Sequence, residues 1–305
     1  MKRKYNNLVL GTAAIGGAWG QVDERESIDT LLFALGEGIQ HLDTSPSYSK
    51  AEEYIGKALK EWKGDRPIIS TKCGRLKSEA ADVAYYDYSD ENITKSVHES
   101  LEIMGLSQLD ILFLHDPTNV PTWEIPRVIA CLHSLKKEGL TKQIGLGGNY
   151  GDEFRPFVKK ENFDIVMEYN RLNASTLEAL EDSVPLYVQE QITHYVASPL
   201  NMGLLARRLD EFSQNKPEWI SQSSVNNAMK VKAYADELGV ALPSLAHRYL
   251  LGLDKYADKI VIGAKKMSQL QATMNDWQLG ALPSEQMNHI TQLINTKLYA
   301  AKSNS

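Results

Sequence analysis

The sequence has very little cysteine and no long apolar run. Its 305 residues include two cysteines, Cys73 and Cys131, which are too few for the disulfide framework of a small secreted domain. No apolar stretch approaches the ~20 residues that span a bilayer. The run that follows the basic N-terminus, residues 8–10, is also shorter than the apolar region of a signal peptide. We therefore expect a cytoplasmic location with reduced thiols.

Positive charge is not in excess either. The net charge of −6 speaks against nucleic acid or an anionic membrane surface as the main partner. The histidines lack metal-ligand spacing, so we expect no metal. No Gly-, Ser- or Pro-rich linker divides the chain. The sequence predicts one domain over residues 1–305, with flexible tails at 1–6 and 299–305, and leaves the oligomeric state open.

Short apolar runs alternate with amphipathic stretches along the whole chain. In one predicted helix, Ile93, Val97, Leu101 and Met104 form a stripe with helical spacing. Continuous apolar strands that alternate with helices indicate a parallel sheet covered by helices. About eight such units predict a (β/α)8 TIM barrel with an additional C-terminal helix. The predicted strands are residues 8–10, 39–43, 67–72, 110–115, 144–147, 164–168, 191–197 and 259–262.

A doubly wound open sheet is the alternative architecture. It usually has fewer strands and a phosphate-binding glycine turn after the first one. The glycines between Gly11 and Gly20 do not match the G-x-G-x-x-G pattern of that turn. The barrel is therefore the favoured fold.

Four polar side chains stand at the ends of consecutive predicted strands. Asp43 ends the second strand with Tyr48 just beyond it, Lys72 ends the third, and His115 ends the fourth. In a barrel these ends share one rim, where catalytic groups lie. Each residue also has a structural explanation, such as Asp43 capping its turn. Lys72 is the hardest to explain in that way, because a buried amine needs a counter-charge, and Asp43 is the nearest candidate.

These groups suit proton transfer coupled to hydride transfer at a carbonyl. An ammonium beside a phenol lowers the phenol pKa, so Lys72 would assist Tyr48 as an acid or base. His115 would hydrogen-bond the same substrate oxygen. No side chain carries hydride, and the hypothesis therefore requires a nicotinamide cofactor.

Six motifs extend along the chain: Gly38-Ile-Gln-His-Leu-Asp-Thr-Ser-Pro-Ser-Tyr48, Ser70-Thr-Lys-Cys-Gly-Arg75, Leu109-Asp-Ile-Leu-Phe-Leu-His115, Ile144-Gly-Leu-Gly-Gly-Asn149, Ser198-Pro-Leu-Asn-Met-Gly-Leu-Leu205 and Val261-Ile-Gly263. In these motifs the chain resembles the aldo-keto reductases along nearly its whole length. Within that family it is most similar to the sugar dehydrogenase branch, the L-galactose and D-threo-aldose (L-fucose) 1-dehydrogenases. The resemblance implies a catalytic tetrad of Asp43, Tyr48, Lys72 and His115, and a substrate pocket that includes Trp19.

The same resemblance implies a nucleotide site that departs from the family pattern. The family holds the nicotinamide amide with Ser, Asn and Gln; here Gly148, Asn149 and Val166 stand at those positions, and Ala197 replaces the stacking aromatic. A Gln at position 269, where NADP-preferring members have Arg, favours NAD over NADP, although two nearby lysines leave the choice open. The expected contacts to the rest of the nucleotide are Ser198, Leu200, Gly203, Gly263, Lys265 and Gln269.

Three functions remain open at this point. The first is oxidation of an aldose at C1 to its lactone with NAD or NADP. The second is reduction of aldehydes or ketones with NADPH. The third, of a different class, is a subunit that senses nicotinamide nucleotides with little turnover.

Overall fold

The computed structural model describes residues 5–77 and 83–294. Within this part of the chain, eight parallel strands close into a barrel, in which each strand pairs with the next and the last pairs with the first. The predicted (β/α)8 barrel is confirmed, and the open doubly wound sheet is wrong. The strands are β1 (Leu8–Gly11), β2 (His41–Asp43), β3 (Ile68–Cys73), β4 (Leu109–His115), β5 (Thr141–Gly147), β6 (Ile165–Tyr169), β7 (Thr193–Ala197) and β8 (Lys259–Gly263).

Helices surround the barrel. Three of them lie between β7 and β8, and two follow β8 within the described residues. The second of these two, residues 284–294, packs against the helix of residues 222–237 and buries Ile290, so the predicted additional C-terminal helix is present. The helices are α1 (Glu24–Gly36), α2 (Ala51–Glu61), α3 (Asp90–Met104), α4 (Ile125–Lys137), α5 (Glu178–Glu181), α6 (Ser183–Glu190), α7 (Leu209–Gln214), α8 (Gln222–Glu237), α9 (Leu242–Leu251), α10 (Met267–Leu279) and α11 (Ser284–Ile294).

The strands bury apolar side chains on both faces, which explains why they read as continuous apolar runs. Outward-facing residues join the helices in one large core, and alternate residues fill the barrel interior. A Cβ atom added at Gly145 or Gly147 would lie 2.9 Å from atoms of Phe113. These two glycines therefore make room for the large Phe113 ring. The interior apolar residues are Val9, Ile111, Phe113, Ile165, Met167, Tyr195 and Val261.

Several element bounds differ from the predictions. Strand β2 starts at His41 rather than at residue 39, because the Ile39 N–H bonds Ala34 O at the end of α1. Strand β5 starts at Thr141, three residues earlier than predicted. Its first residues are polar, and Thr141 pairs with Leu109 at the N-terminal end of β4. Between β6 and β7 the chain forms two short helices, α5 and α6, which meet at Asp182. The Asp182 carboxylate forms ion pairs with Arg155 and Arg171.

Most of the two predicted tails lies outside the described residues. Of the first tail, Tyr5 is buried, and the Asn6 carbonyl accepts a hydrogen bond from Lys259 Nζ. Residues 299–305 belong to the part of the chain that is not described. Among the residues that the structure describes, no helix is both long enough and apolar enough to cross a membrane.

Replacing Phe113 with alanine should strongly destabilise the barrel. We expect Phe113→Ala to lower the free energy of unfolding by about 3–5 kcal/mol, because it empties the centre of a packed interior. Trp123→Ala is the control, since Trp123 is 81% exposed and its loss should cost less than about 0.5 kcal/mol. Equilibrium urea unfolding measures both values, and equal effects would contradict this account of the core.

Candidate active site

Strands β2 and β3 place a carboxylate and an amine in direct contact. Lys72 Nζ donates to Asp43 Oδ2 at 2.6 Å and to Thr44 O at 2.7 Å. The Asp43 and Lys72 side chains are each 3% exposed. Burial disfavours the ammonium, but Asp43 and Tyr48 outweigh it and raise the pKa of Lys72 above its ordinary value. Lys72 therefore stays charged at neutral pH.

Tyr48 lies in the turn after β2, beside this ion pair. Lys72 Nζ is 4.8 Å from the centroid of the Tyr48 ring, and the His115 ring packs edge-on at 5.9 Å. Burial raises the pKa of Tyr48, while the charge of Lys72 acts in the opposite direction. Lys72 therefore lowers the pKa of Tyr48 as expected, but burial raises this pKa by more.

His115, at the end of β4, is held as a neutral imidazole. Its Nδ1 lies 3.1 Å from Ser45 Oγ, which in turn lies 2.9 Å from Ser47 Oγ. Burial, with the charges of Lys72 and Arg75, lowers the pKa of His115 well below its ordinary value. Because Ser45 occupies Nδ1, Nε2 is the nitrogen left for a substrate. The four predicted catalytic side chains therefore lie together at one rim.

A hydrogen-bonded chain extends from Asp43 into the barrel interior. Ser70 Oγ donates to Asp43 Oδ1 at 2.8 Å and lies 3.2 Å from His41 Nε2. A carboxylate only accepts, so the single hydroxyl proton of Ser70 goes to Asp43, and His41 must donate from Nε2. His41 Nδ1 is then a bare acceptor, buried and without a partner among the described residues. Sequence reasoning missed Ser70 and His41, although each stands two residues before a tetrad member and therefore on the same face of its strand.

The tyrosines before α3 serve different purposes. Tyr88 is buried, and its hydroxyl shares its one proton between the backbone oxygens of His115 and Asp116, at 2.8 and 2.9 Å. Tyr86 donates to the Asp116 carboxylate at 3.0 Å. Tyr85 is exposed. Tyr88 is thus part of the packing that holds the end of β4.

The ends of β5 and β6 form the next part of the rim. Asn149 Nδ2 donates to Tyr169 O, and Asn149 Oδ1 accepts from Tyr169 N, both at 3.2 Å. Both ends of the Asn149 amide therefore bridge the two strands. Gly148 has a φ of 146°, and a Cβ there would lie 3.2 Å from Asp116 Oδ1. The serine that the family has at this position would therefore be strained here.

Position 166 does not face the rim. Val166 is fully buried in the core shared with the helices, whereas its neighbour Met167 faces the barrel interior. The interpretation of position 166 as a nicotinamide-facing position is therefore wrong for this structure, because strand alternation points its side chain outward. Ala197 pairs in register with Tyr169, which is 40% exposed. The rim thus has an aromatic ring beside Ala197 that sequence reasoning missed.

The loop after β7 has an unusual backbone. Ser198, Asn201 and Met202 have φ values of 58°, 47° and 54°, and Gly203 has 98°. The N–H groups of Asn201 and Gly203 donate to Ser198 O at 2.8 Å and to Leu200 O at 3.0 Å, and these bonds close the turn. Leu200 lies within this loop and is partly buried.

Beyond β8, Gln269 closes the loop that follows Gly263. Its Oε1 accepts from the Lys265 backbone N–H at 2.7 Å. Gln269 and Lys266 are exposed, and Lys265 is partly exposed. No planar cationic side chain stands at this position.

Comparisons with known proteins identify the family. The model of the Aldo/keto reductase family matches residues 7–295. The chain belongs to this family. L-galactose dehydrogenase of Arabidopsis thaliana is 32% identical over 280 residues, which cover 88% of this chain and 83% of the relative. D-threo-aldose 1-dehydrogenase of a Pseudomonas species is 25% identical over 291 residues, 86% of each chain. An aldo-keto reductase structure from Bacillus halodurans shares the fold, with a TM-score of 0.75 and 24% identity over 96% of each chain.

Aldo-keto reductases are oxidoreductases that use nicotinamide nucleotides, and this member has residues that fit one. Both polar atoms of the Asn170 amide are buried without a partner among the described residues. Asn170 follows Tyr169 at the end of β6, and its N–H approaches Ala197 O at 3.4 Å. An unpaired amide at the rim is complementary to the carboxamide of nicotinamide, which also offers one donor and one acceptor group. Sequence reasoning missed Asn170, because its lack of partners is a tertiary property.

Two other predicted residues have clear positions. Trp19 is 48% exposed, in the β1–α1 loop that bonds the Tyr48 turn through Gly16 O and Lys50 N at 3.1 Å. This position is compatible with the substrate contact expected of it. Cys73 is fully buried, and burial raises the pKa of its thiol far above the ordinary value. The thiol of Cys73 is therefore protonated and inaccessible to reagents.

The neutral His41 should make folding sensitive to acid. Burial lowers the pKa of His41 from 6.5 to about 3. Below pH 6.5 the unfolded chain therefore binds a proton that the folded chain does not, and stability falls by about 1.4 kcal/mol per pH unit as the pH decreases toward 3. His41→Phe should reduce the loss of unfolding free energy between pH 7 and pH 5 by about 2 kcal/mol. Urea unfolding at the two pH values measures this loss.

The exposed His98 on α3 provides the control. His98→Gln should leave the difference between pH 7 and pH 5 unchanged. If His41→Phe and His98→Gln behaved alike, His41 would not be a neutral interior group.

Proposed function

We propose that the protein oxidises an aldose at C1 to the lactone, with NAD as the hydride acceptor. The observation that carries the proposal is the contact of Lys72 with Asp43 at 2.6 Å beside the Tyr48 ring. The two sugar dehydrogenases among the relatives support the choice of an aldose. The proposed catalytic residues are Asp43, Tyr48, Lys72 and His115.

In this proposal Tyr48 is the general base. Its phenolate removes the proton of the C1 hydroxyl. A nicotinamide held at the rim beside Asn170 would supply the hydride-accepting group for C1. Lys72 stabilises the phenolate, and Asp43 holds Lys72 charged and in place. The neutral His115 hydrogen-bonds the reacting oxygen without adding a second positive charge. In the reverse direction Tyr48 returns the proton as an acid.

An aldose panel with NAD⁺ tests the proposal. Burial raises the pKa of Tyr48, so the phenolate fraction and the oxidation rate should increase toward alkaline pH. Tyr48→Phe should lower kcat by roughly 10²–10⁴-fold, the usual contribution of a general base, with little change in KM. Tyr85→Phe is a matched control, since it removes an exposed phenol hydroxyl from the neighbouring loop. Near-normal turnover by Tyr48→Phe would show that another group is the base.

Two other outcomes would favour the alternative functions. A strong preference for NADPH, with reduction of aldehydes and no aldose oxidation, would favour a carbonyl reductase. Nucleotide binding without turnover of any aldose or carbonyl compound would favour a sensing subunit.

The preference for NAD rests on Gln269. Its side chain bonds the Lys265 backbone at 2.7 Å and offers no positive charge to a 2′-phosphate. Gln269→Arg should increase kcat/KM for NADP roughly 10-fold or more, because a guanidinium makes charge-assisted bonds to phosphate. Gln271→Arg, on the same helix, adds the same charge two residues away and is the control. Steady-state kinetics with both nucleotides measure the change.

If the unaltered chain already preferred NADP, the assignment of NAD would be wrong. The two lysines of this loop, Lys265 and Lys266, would then be the groups to replace.

A further inference from the structure

Asp116, the residue after His115, has a constrained and unusual conformation. Its φ is 48°, in the left-handed region that few non-glycine residues adopt. Its N–H bonds Gly147 O at 3.0 Å, and Tyr88 holds its carbonyl from the other side at 2.9 Å. The contacts on both sides maintain this conformation, which fixes where the carboxylate points. Such constrained residues cluster at functional sites.

The two oxygens of the Asp116 carboxylate are used unequally. Oδ2 accepts from Arg75 Nη1 at 3.2 Å and from Tyr86 Oη at 3.0 Å. Oδ1 accepts no hydrogen bond from any of the described residues, and the side chain is only 16% exposed. Oδ1 therefore has an unfilled capacity to accept a hydrogen bond.

This oxygen lies beside the catalytic groups. Asp116 Oδ1 stands 3.2 Å from the place that a Cβ of Gly148 would occupy, at the end of β5. Burial and the charge of Asp43 raise the pKa of Tyr48, and the charge of Asp116 adds to this rise, whereas Lys72 acts in the opposite direction. The charge of Arg75 contributes to lowering the pKa of His115. The Asp116 carboxylate is thus part of the same rim as the tetrad.

The chemistry of this position favours a neutral donor. A carboxylate repels an anionic group, and the nearby Lys72 and Arg75 disfavour a cationic one. A hydroxyl is neutral and forms short, strong bonds with a carboxylate. Tyr169, exposed at the end of β6, adds an aromatic surface suited to the C–H groups of a sugar ring.

We propose that Asp116 Oδ1 accepts a hydrogen bond from a substrate hydroxyl other than the one that reacts, and that Asp116 thereby selects polyhydroxylated substrates. Arg75 and Tyr86 hold the carboxylate in position for this contact. The inference rests on the proposed function, since it names the feature of the aldose that the site recognises. A site built to bond a hydroxyl discriminates strongly against an analogue that lacks it.

Asp116→Asn is the direct test, with two substrates of the same reaction. One is the best aldose of the panel, and the other is tetrahydropyran-2-ol, a cyclic hemiacetal with no other hydroxyl. In the variant Arg75 and Tyr86 compete for the one amide oxygen, which turns the NH₂ group toward the substrate. We expect kcat/KM for the aldose to fall roughly 10- to 100-fold, mainly through KM. For tetrahydropyran-2-ol, kcat/KM should fall about 3-fold at most.

Asp236→Asn is the matched control, because it removes a carboxylate charge on the exposed face of α8. Asp236→Asn should leave kcat/KM unchanged for both the aldose and tetrahydropyran-2-ol. Equal losses for both substrates in Asp116→Asn would overturn the inference, since they would show that Asp116 acts on the tetrad or the fold and not on the hydroxyl.

Monodeoxy aldoses test the same point on the unaltered chain, whether or not Asp116→Asn folds. At least one of them should lose roughly 10-fold or more in kcat/KM. If every one lost less than about 3-fold, no non-reacting hydroxyl would be recognised and the inference would be wrong. Absence of any aldose oxidation by the unaltered chain would instead overturn the proposed function itself.

Discussion

The buried ion pair of Lys72 and Asp43 is the interaction on which the rest of the site depends. Removing two charges from water costs several kcal/mol per ion, and only good geometry and further hydrogen bonds repay that cost. Thr44 O accepts a second bond from the ammonium, and Ser70 donates to the second carboxylate oxygen. The pair therefore depends on the direct pairing of β2 with β3. Its charges act on the pKa of Tyr48, and the charge of Lys72 adds to burial in lowering the pKa of His115.

The two ends of the barrel use carboxylates in opposite ways. At the N-terminal end, Asp110, Asp164 and Asp258 each accept from a backbone N–H of the preceding strand. Lys142 and Arg66 complete the bonding of Asp110. These groups are satisfied and stabilise the start of the strands. At the C-terminal end, Asp116 retains an oxygen without a donor among the described residues, which is consistent with function at that face of a barrel.

The nucleotide side of the rim differs more from the family pattern than the catalytic side does. Asn149 uses both ends of its amide to join β5 and β6. Asn170 and Tyr169 provide an unpaired amide and an exposed ring at the end of β6. Proton transfer depends on the distances among the four catalytic side chains, whereas the carboxamide of nicotinamide needs only one hydrogen-bond donor and one acceptor nearby. Different residues can therefore bind the carboxamide in different members of the family.

The sequence alone determined the barrel and the identity of the four catalytic candidates. Both follow from local patterns, because apolar runs mark strands buried on two faces and polar residues at their ends must share a rim. Only the tertiary structure decided what faces those residues. The bond from His41 to Ser70 depends on the register of β2 against β3. The partners of the Asp116 carboxylate among the described residues come from the loop after β3, which is distant in the chain. Spacing along the chain does not encode such contacts, since each one joins residues that the pairing of strands and the packing of loops bring together.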